Sequence, residues 1–160
     1  MYSKNDIYEL HVGIQSIKAR IKEKMIDKFS YALSINSRRI KDIIESISDQ
    51  RKEILGDYDK EHNEIAKKHS ETDEKGNPIM RAGGYNIQKH MHAYLEEKKA
   101  LDEKYKDSID RFEKTMKEDA GDVKLHMVKE MPDMPFDLAD AIYLIREEPE
   151  NTESNKSKES

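Results

Sequence analysis

The six histidines are the residues of this chain best suited to chemistry, and their spacing argues against a shared metal. His90 and His92 stand two apart in KHMHAY. On a helix such a pair points about 200° apart, so one ion cannot take both. His62 and His69 share a side but lie two turns apart, and neither the i, i+4 zinc spacing nor an HExxH motif occurs. Carboxylates are plentiful, among them Glu96, Glu97, Asp102 and Glu103, but general acid–base work needs a cleft that separates their pKa values. The acidic ETDEKGN turn lacks the residue order of a calcium loop. Gly83-Gly84 is too short to cradle a phosphate, and no nucleophile motif is present. These readings point away from an enzyme and from any cofactor.

A basic edge is the next candidate. Arg38, Arg39 and Lys41 cluster where a helix N-terminus near Ser37 would add backbone donors for phosphate. The same residues also suit a solvated face balanced by Asp42 and Glu45. The chain carries 29 basic and 34 acidic residues, a net charge of −5, where a nucleic-acid-binding domain usually shows a basic excess. Nucleic acid is therefore the less favoured partner.

The elements that must position these groups are helical. Hydrophobic residues make up 35% of the 160 and charged residues 39%, a thin core beneath a wide solvated surface. Cysteine is absent, which excludes disulfides and thiolate chemistry. MYSKNDIYELHVG has no apolar signal-peptide core. No apolar run approaches the ~20 residues of a membrane span. A cytoplasmic setting, without membrane, is the expectation.

A helix is expected over 6–26, with Asp6 as N-cap, Glu9 three residues on, and a stripe of Ile7, Leu10, Ile14, Ile17, Ile21 and Met25. Lys22, Glu23 and Lys24 fall on its wet face. Gly13 weakens its middle by roughly 1 kcal/mol relative to Ala. In FSYALSIN, residues 29–36, Phe29, Tyr31, Leu33 and Ile35 alternate, which reads as an extended connector with Ser34 or Asn36 capping the helix that follows.

Two heptad seams then define a long antiparallel hairpin resembling a coiled coil. The first arm, 37–68, carries Ile40, Ile44, Ile47, Arg51, Ile54, Tyr58, Glu61 and Ile65; the second, 87–118, carries Met91, Tyr94, Lys98, Leu101, Tyr105 and Phe112. The expected register sets Ile54 opposite Leu101 and Arg51 near Tyr105, with Glu103 as its charge partner. Between the arms, Lys75-Gly76-Asn77-Pro78 signals a turn. Gly83-Gly84 suggests a small loop or irregular β-hairpin, and Asn86 is the expected cap of the second arm.

Val123, Leu125 and Met127 alternate with Lys124 and His126, a short strand at 123–128. A loop with Pro132 and Pro135 follows. Asp137 is then expected to cap a short helix at 138–147 with Leu138, Ile142 and Ile145 on its apolar face. Met127, Met131, Met134 and Phe136 form the candidate partner patch, since methionine makes adaptable apolar contacts. Residues 148–160 are polar and read as a disordered tail, leaving 1–147 as a single helical domain.

From FSYALSINSRRIKDIIESISDQRKEIL onward the chain resembles an uncharacterised family of short bacteriophage and prophage proteins. The matching residues are Tyr31, Ala32, Leu33, Ser34, Asn36, Ile40 and Arg51, then Asp73, Glu74, Gly76, Asn77 and Pro78 in the turn. Val123, Leu125 and His126 follow, with Leu138, Ile142 and Ile145 in the terminal helix. The resemblance covers about residues 24–146, and the stretch from Glu113 to Asp122 is added relative to it. It implies a phage setting and a helical fold, and brings no catalytic residues. The expected function is a non-enzymatic interaction protein, acting in assembly or as an accessory module through a protein partner or self-association.

Overall fold

In the computed structural model, which describes residues 1–21, 27–81 and 83–147, the chain is mainly helical with one small antiparallel sheet. Its contacts gather into two compact units. The first joins Met1–Glu45 to the chain from Asp119 onward, and the second is Ser46–Glu118. The expected turn of the N-terminal stripe at Met25, with Lys22, Glu23 and Lys24, lies outside the described residues, as does the tail expected at 148–160.

The first unit is built on helix α1, Lys4–Arg20. It starts earlier than expected because Ser3, not Asp6, is the N-cap. Ser3 Oγ accepts from the Asp6 N–H at 3.2 Å, and the Ser3 N–H donates to Asp6 Oδ2 at 2.8 Å, a reciprocal capping box. Glu9 is left to accept from Asn5 Nδ2 at 2.8 Å. Ile7, Leu10, Ile14 and Ile17 are buried, and Ile21 packs partly against them, as their period requires.

Helix α2, Asp27–Arg39, replaces the extended connector expected at 29–36. Phe29, Ala32, Leu33, Asn36 and Ile40 are all buried, a spacing of three and four, whereas Tyr31 is 59% exposed. The apparent alternation of Phe29, Tyr31 and Leu33 was incidental; the helical period governs which residues the core takes. Ile40 marks a turn, but its N–H bonds Asn36 O and its carbonyl accepts from Ile44 N, both at 3.0 Å. The first arm as expected, from 37, thus begins inside α2, and Ile40 and Ile44 serve the first unit's core rather than the hairpin seam.

The C-terminal part closes this core. Helix α6, Phe136–Asp140, is followed by a 3-10 turn at Tyr143–Ile145, in place of one helix at 138–147. Pro135 occupies the N-cap position expected of Asp137, its fixed φ suiting a helix entry. Asp137 instead pairs with Arg20 at the end of α1. Leu138, Ile142 and Ile145 are buried as expected. The close approach of this segment to α1 explains Gly13. A Cβ there would stand 2.4 Å from the carbonyl oxygen of Ala141.

The second unit is a helical hairpin. Helix α3, Lys41–Lys68, supplies its first arm from Ser46 onward. The second arm is α4, Met91–Lys104, and α5, Lys106–Met116, entered through a 3-10 turn at Gln88–His90. At the tip, strands β1, Met80–Arg81, and β2, Gly84–Tyr85, pair antiparallel, with Gly83 at φ 81° in the turn. Asn86 is buried and does not cap the arm; its N–H bonds Ile79 O at 2.8 Å and its carbonyl accepts from Glu71 N at 2.7 Å.

The strand expected at 123–128 does not form as a sheet member. One parallel bridge joins Val128 to Arg146, and otherwise this run is held by side chains. A testable consequence concerns Gly13. Gly13→Ala would gain ~1 kcal/mol on an open helix. Here the Ala141 carbonyl must shift, so a net loss of about 1–3 kcal/mol is expected in urea unfolding. A more stable variant would contradict the close packing.

Candidate functional site

The features that position a surface in the first unit start from Asn36. It is fully buried, and its Nδ2 donates to His126 O at 2.9 Å while its Oδ1 accepts from His126 N at 2.7 Å. One amide thereby does for His126 what a neighbouring strand would do. One turn further along α2, Arg39 donates to Lys124 O at 2.7 Å. The 124–128 run is thus laid against α2 by two side chains. The sequence reading missed this use of Asn36. Its signal was there: a polar residue in phase with Phe29, Leu33 and Ile40.

Past this clamp a cavity of about 790 Å³ opens between the first turns of α2 and residues 126–130. Phe29, Ala32 and Val128 are the buried residues of its lining. Tyr31 and Met127 line it while 59% and 38% exposed. The Tyr31 and His126 rings meet edge to face, 5.8 Å apart at 87°, which holds the tyrosine without hiding it. Lys28, Glu130 and a Lys129–Glu147 pair at 3.9 Å supply its charges.

The candidate patch is divided. Met127 is exposed beside this cavity and Phe136 is 83% exposed, whereas Met131 and Met134 pack partly into the core. The candidate phosphate contacts are divided too. Arg39 is committed to Lys124 O and Lys41 lies 3.5 Å from Glu45, while Arg38 is exposed. The structure does not converge the three on one point.

The hairpin seam is largely polar. Leu55 and Leu101 are buried between its ends, and Ile47 near its base; Ile54, Tyr58, Ile65, Tyr94, Tyr105 and Phe112 are half-buried, and Arg51 and Met91 are exposed. Arg51 lies over the Phe112 ring at 5.6 Å, not beside Tyr105, so the arms meet one heptad away from the expected register. Its carboxylate partner is Asp59, at 2.7 and 2.9 Å, rather than Glu103. Tyr58 donates to Asp102 Oδ1 at 2.8 Å, and Lys98 to Oδ2 at 2.7 Å. His62 Nε2 and Tyr94 Oη are 2.7 Å apart. Glu61 accepts from both Lys104 and Tyr105 at 2.7 Å, and Glu97 from Lys68 at 2.6 Å.

These contacts set the electrostatics. Hydrogen bonds from Lys104 and Tyr105 hold the Glu61 carboxyl below its ordinary pKa, and the Lys68 hydrogen bond, with the His69 imidazole 3.0 Å away, does the same for Glu97. Burial raises Asp102, but Lys98 and Tyr58 outweigh it and the net shift is downward. Burial, then the Asp102 hydrogen bond, raises the Tyr58 phenol. Asp59, Glu61, Glu97 and Asp102 are thus spent on internal partners, which makes the network a register device. Among the described residues no cluster of three His, Cys, Asp or Glu side chains could hold a metal. The Asp73 carboxylate in the acidic turn accepts from the Lys75 and Asn77 N–H groups at 2.9 Å and so closes the turn itself. Among the described residues no helix is long and apolar enough to cross a membrane.

Comparison of the chain with protein-family models, with curated proteins and with solved structures gives no match.

Two outcomes follow. Asn36→Leu strands a backbone donor and acceptor of His126, so a loss of roughly 2–5 kcal/mol is expected in chemical unfolding. Asn36→Asp keeps the size but cannot donate to His126 O and should fare no better near neutral pH; a wild-type midpoint for either would remove the clamp. For the hairpin, the folded pKa values of Glu61, Glu97 and Asp102 are depressed. Their stabilisation is therefore present above the ordinary carboxylate range, about pH 4–4.5, and is lost as pH falls through the folded values. The thermal midpoint should drop on acidification, and less steeply in Glu61→Gln/Glu97→Gln/Asp102→Asn. An unchanged acid slope in that variant would assign the loss elsewhere.

Proposed function

We propose that this chain is a non-enzymatic, helical protein-interaction module, encoded by a phage or prophage and acting in assembly or as an accessory binding factor. One observation carries the interaction reading: the cavity of about 790 Å³ beside Tyr31, which stands 59% exposed next to Met127 above an apolar floor. A half-exposed tyrosine with a rigid ring offers a large contact area at low entropic cost, as anchor residues of interfaces do. The apolar floor gives a partner's side chain somewhere to be buried, at about 25 cal/mol per Å². The phage setting is supported by the resemblance of the Tyr31–Ile40 segment, the Asp73–Pro78 turn and the Val123–His126 segment. A host-cell cytoplasmic or virion-associated location follows from that setting.

A photo-crosslinking residue at Tyr31 should capture one defined protein in cells that express the chain from its native context. The same residue at Glu53, on an exposed face of α3, should not. Met127→Asp should abolish the capture while helical content stays unchanged. Equal labelling from both positions would defeat the proposal.

A further inference from the structure

The lining of the cavity beside Tyr31 is suited to a flat ring. Its volume of about 790 Å³ lies in the range of pockets that enclose small ligands, roughly 300–1,000 Å³. The Tyr31 and His126 rings stand at 87° with centroids 5.8 Å apart. A ring laid parallel to either one meets the other edge-on, and both arrangements are favoured between aromatic groups. Met127 adds a part-exposed thioether, which makes favourable contacts at ring edges. Phe29 lies buried in the floor. Two charges complete the lining. Lys28 and Glu130 are exposed, and among the described residues neither side chain has an ion-pair or hydrogen-bond partner. The other two charges, Lys129 and Glu147, answer each other at 3.9 Å. An ammonium favours the negative face of a π-system, most of all that of indole. A carboxylate needs a donor, and the indole N–H donates only. One indole therefore meets both charges with the complementary group.

We propose that this cavity takes an indole ring, which on the docking proposal is a tryptophan side chain of the partner protein. The ring face meets the Lys28 ammonium, and its N–H donates to the Glu130 carboxylate. Tyr31, His126 and Met127 bound it at the sides. None of the 160 residues is a tryptophan, so a second copy of them cannot supply the ring. The inference rests on the cavity being the docking site and adds the chemistry of the group that fills it.

Titration of the full chain with N-acetyl-L-tryptophanamide tests this. Because the chain has no indole of its own, indole fluorescence reports the probe alone. Its emission should move to the blue, with a Kd on the order of 1 mM or tighter. The methyl resonance that Met127→Leu removes should shift upfield in the ring current. N-acetyl-L-leucinamide should bind at least about tenfold more weakly, and N-acetyl-L-phenylalaninamide about threefold or more. Glu130→Ala should weaken tryptophanamide to about the phenylalaninamide value and leave phenylalaninamide unchanged. Lys28→Ala should weaken both aromatic amides. The proposal is overturned by no binding at about 10 mM probe, or by leucinamide binding as tightly as tryptophanamide. A Glu130→Ala variant of unchanged helical content that binds tryptophanamide like the parent also overturns it. Capture of a protein at Tyr31 by a chain that ignores tryptophanamide would sink this inference and spare the docking proposal. Tryptophanamide binding without any capture would do the reverse.

Discussion

Two hydrogen bonds from the side chain of Asn36 to the backbone of His126 join parts of the chain 90 residues apart, and the first unit is organised around them. A buried amide without partners would cost several kcal/mol. Paired with one N–H and one C=O, it satisfies a donor and an acceptor on both sides at once. α2 thereby takes the place of an adjacent strand for His126. The connection from Val128 to Ile145 and Glu147 follows, and with it the lid of Leu138, Ile142 and Ile145 over the α1 stripe. The exposed position of Tyr31, its ring edge-on to that of His126, derives from this geometry. The clamp uses both backbone groups of His126 and, through Arg39, the Lys124 carbonyl.

The second unit is held differently. Its arms bury few large apolar side chains, and its contacts are dominated by tyrosine, histidine and charged pairs of intermediate exposure. Such pairs contribute little each to stability. Their value lies in discrimination. A heptad repeat looks the same after a slide of seven residues, and apolar seam residues alone cannot tell the two registers apart. Arg51 over Phe112, Tyr58 on Asp102 and Glu61 between Lys104 and Tyr105 are satisfied together in one alignment. A slide would leave half-buried carboxylates without donors, and that penalty selects the register.

The two units therefore suit different tasks. The hairpin spends its polar groups on itself, and its carboxylates are depressed by their own lysines and tyrosines rather than poised for proton transfer. The first unit instead leaves Tyr31 and Met127 exposed beside a well-packed core.

Much of the architecture was legible in the residues themselves. The α1 stripe, both arms, the Gly-Asn-Pro turn with its short hairpin and the burial of Leu138, Ile142 and Ile145 all follow from local periodicity and turn chemistry, which act over a few neighbouring residues. What escaped were the decisions made between distant segments. The helical state of 29–36 was settled by a core that accepts Phe29, Leu33 and Ile40 on one face and Asn36 among them. The 123–128 run reads as a strand because it is extended, yet its partner is a side chain and no spacing rule announces that. The heptad register was degenerate in the sequence. The early start of α1 hinged on Ser3 and Asp6 capping each other, and Gly13 made sense only once Ala141 lay against it. Local sequence thus determined which elements form, because periodicity and capping are short-range effects. Tertiary structure decided which polar groups find one another, because each buried donor must locate its acceptor wherever the fold places it.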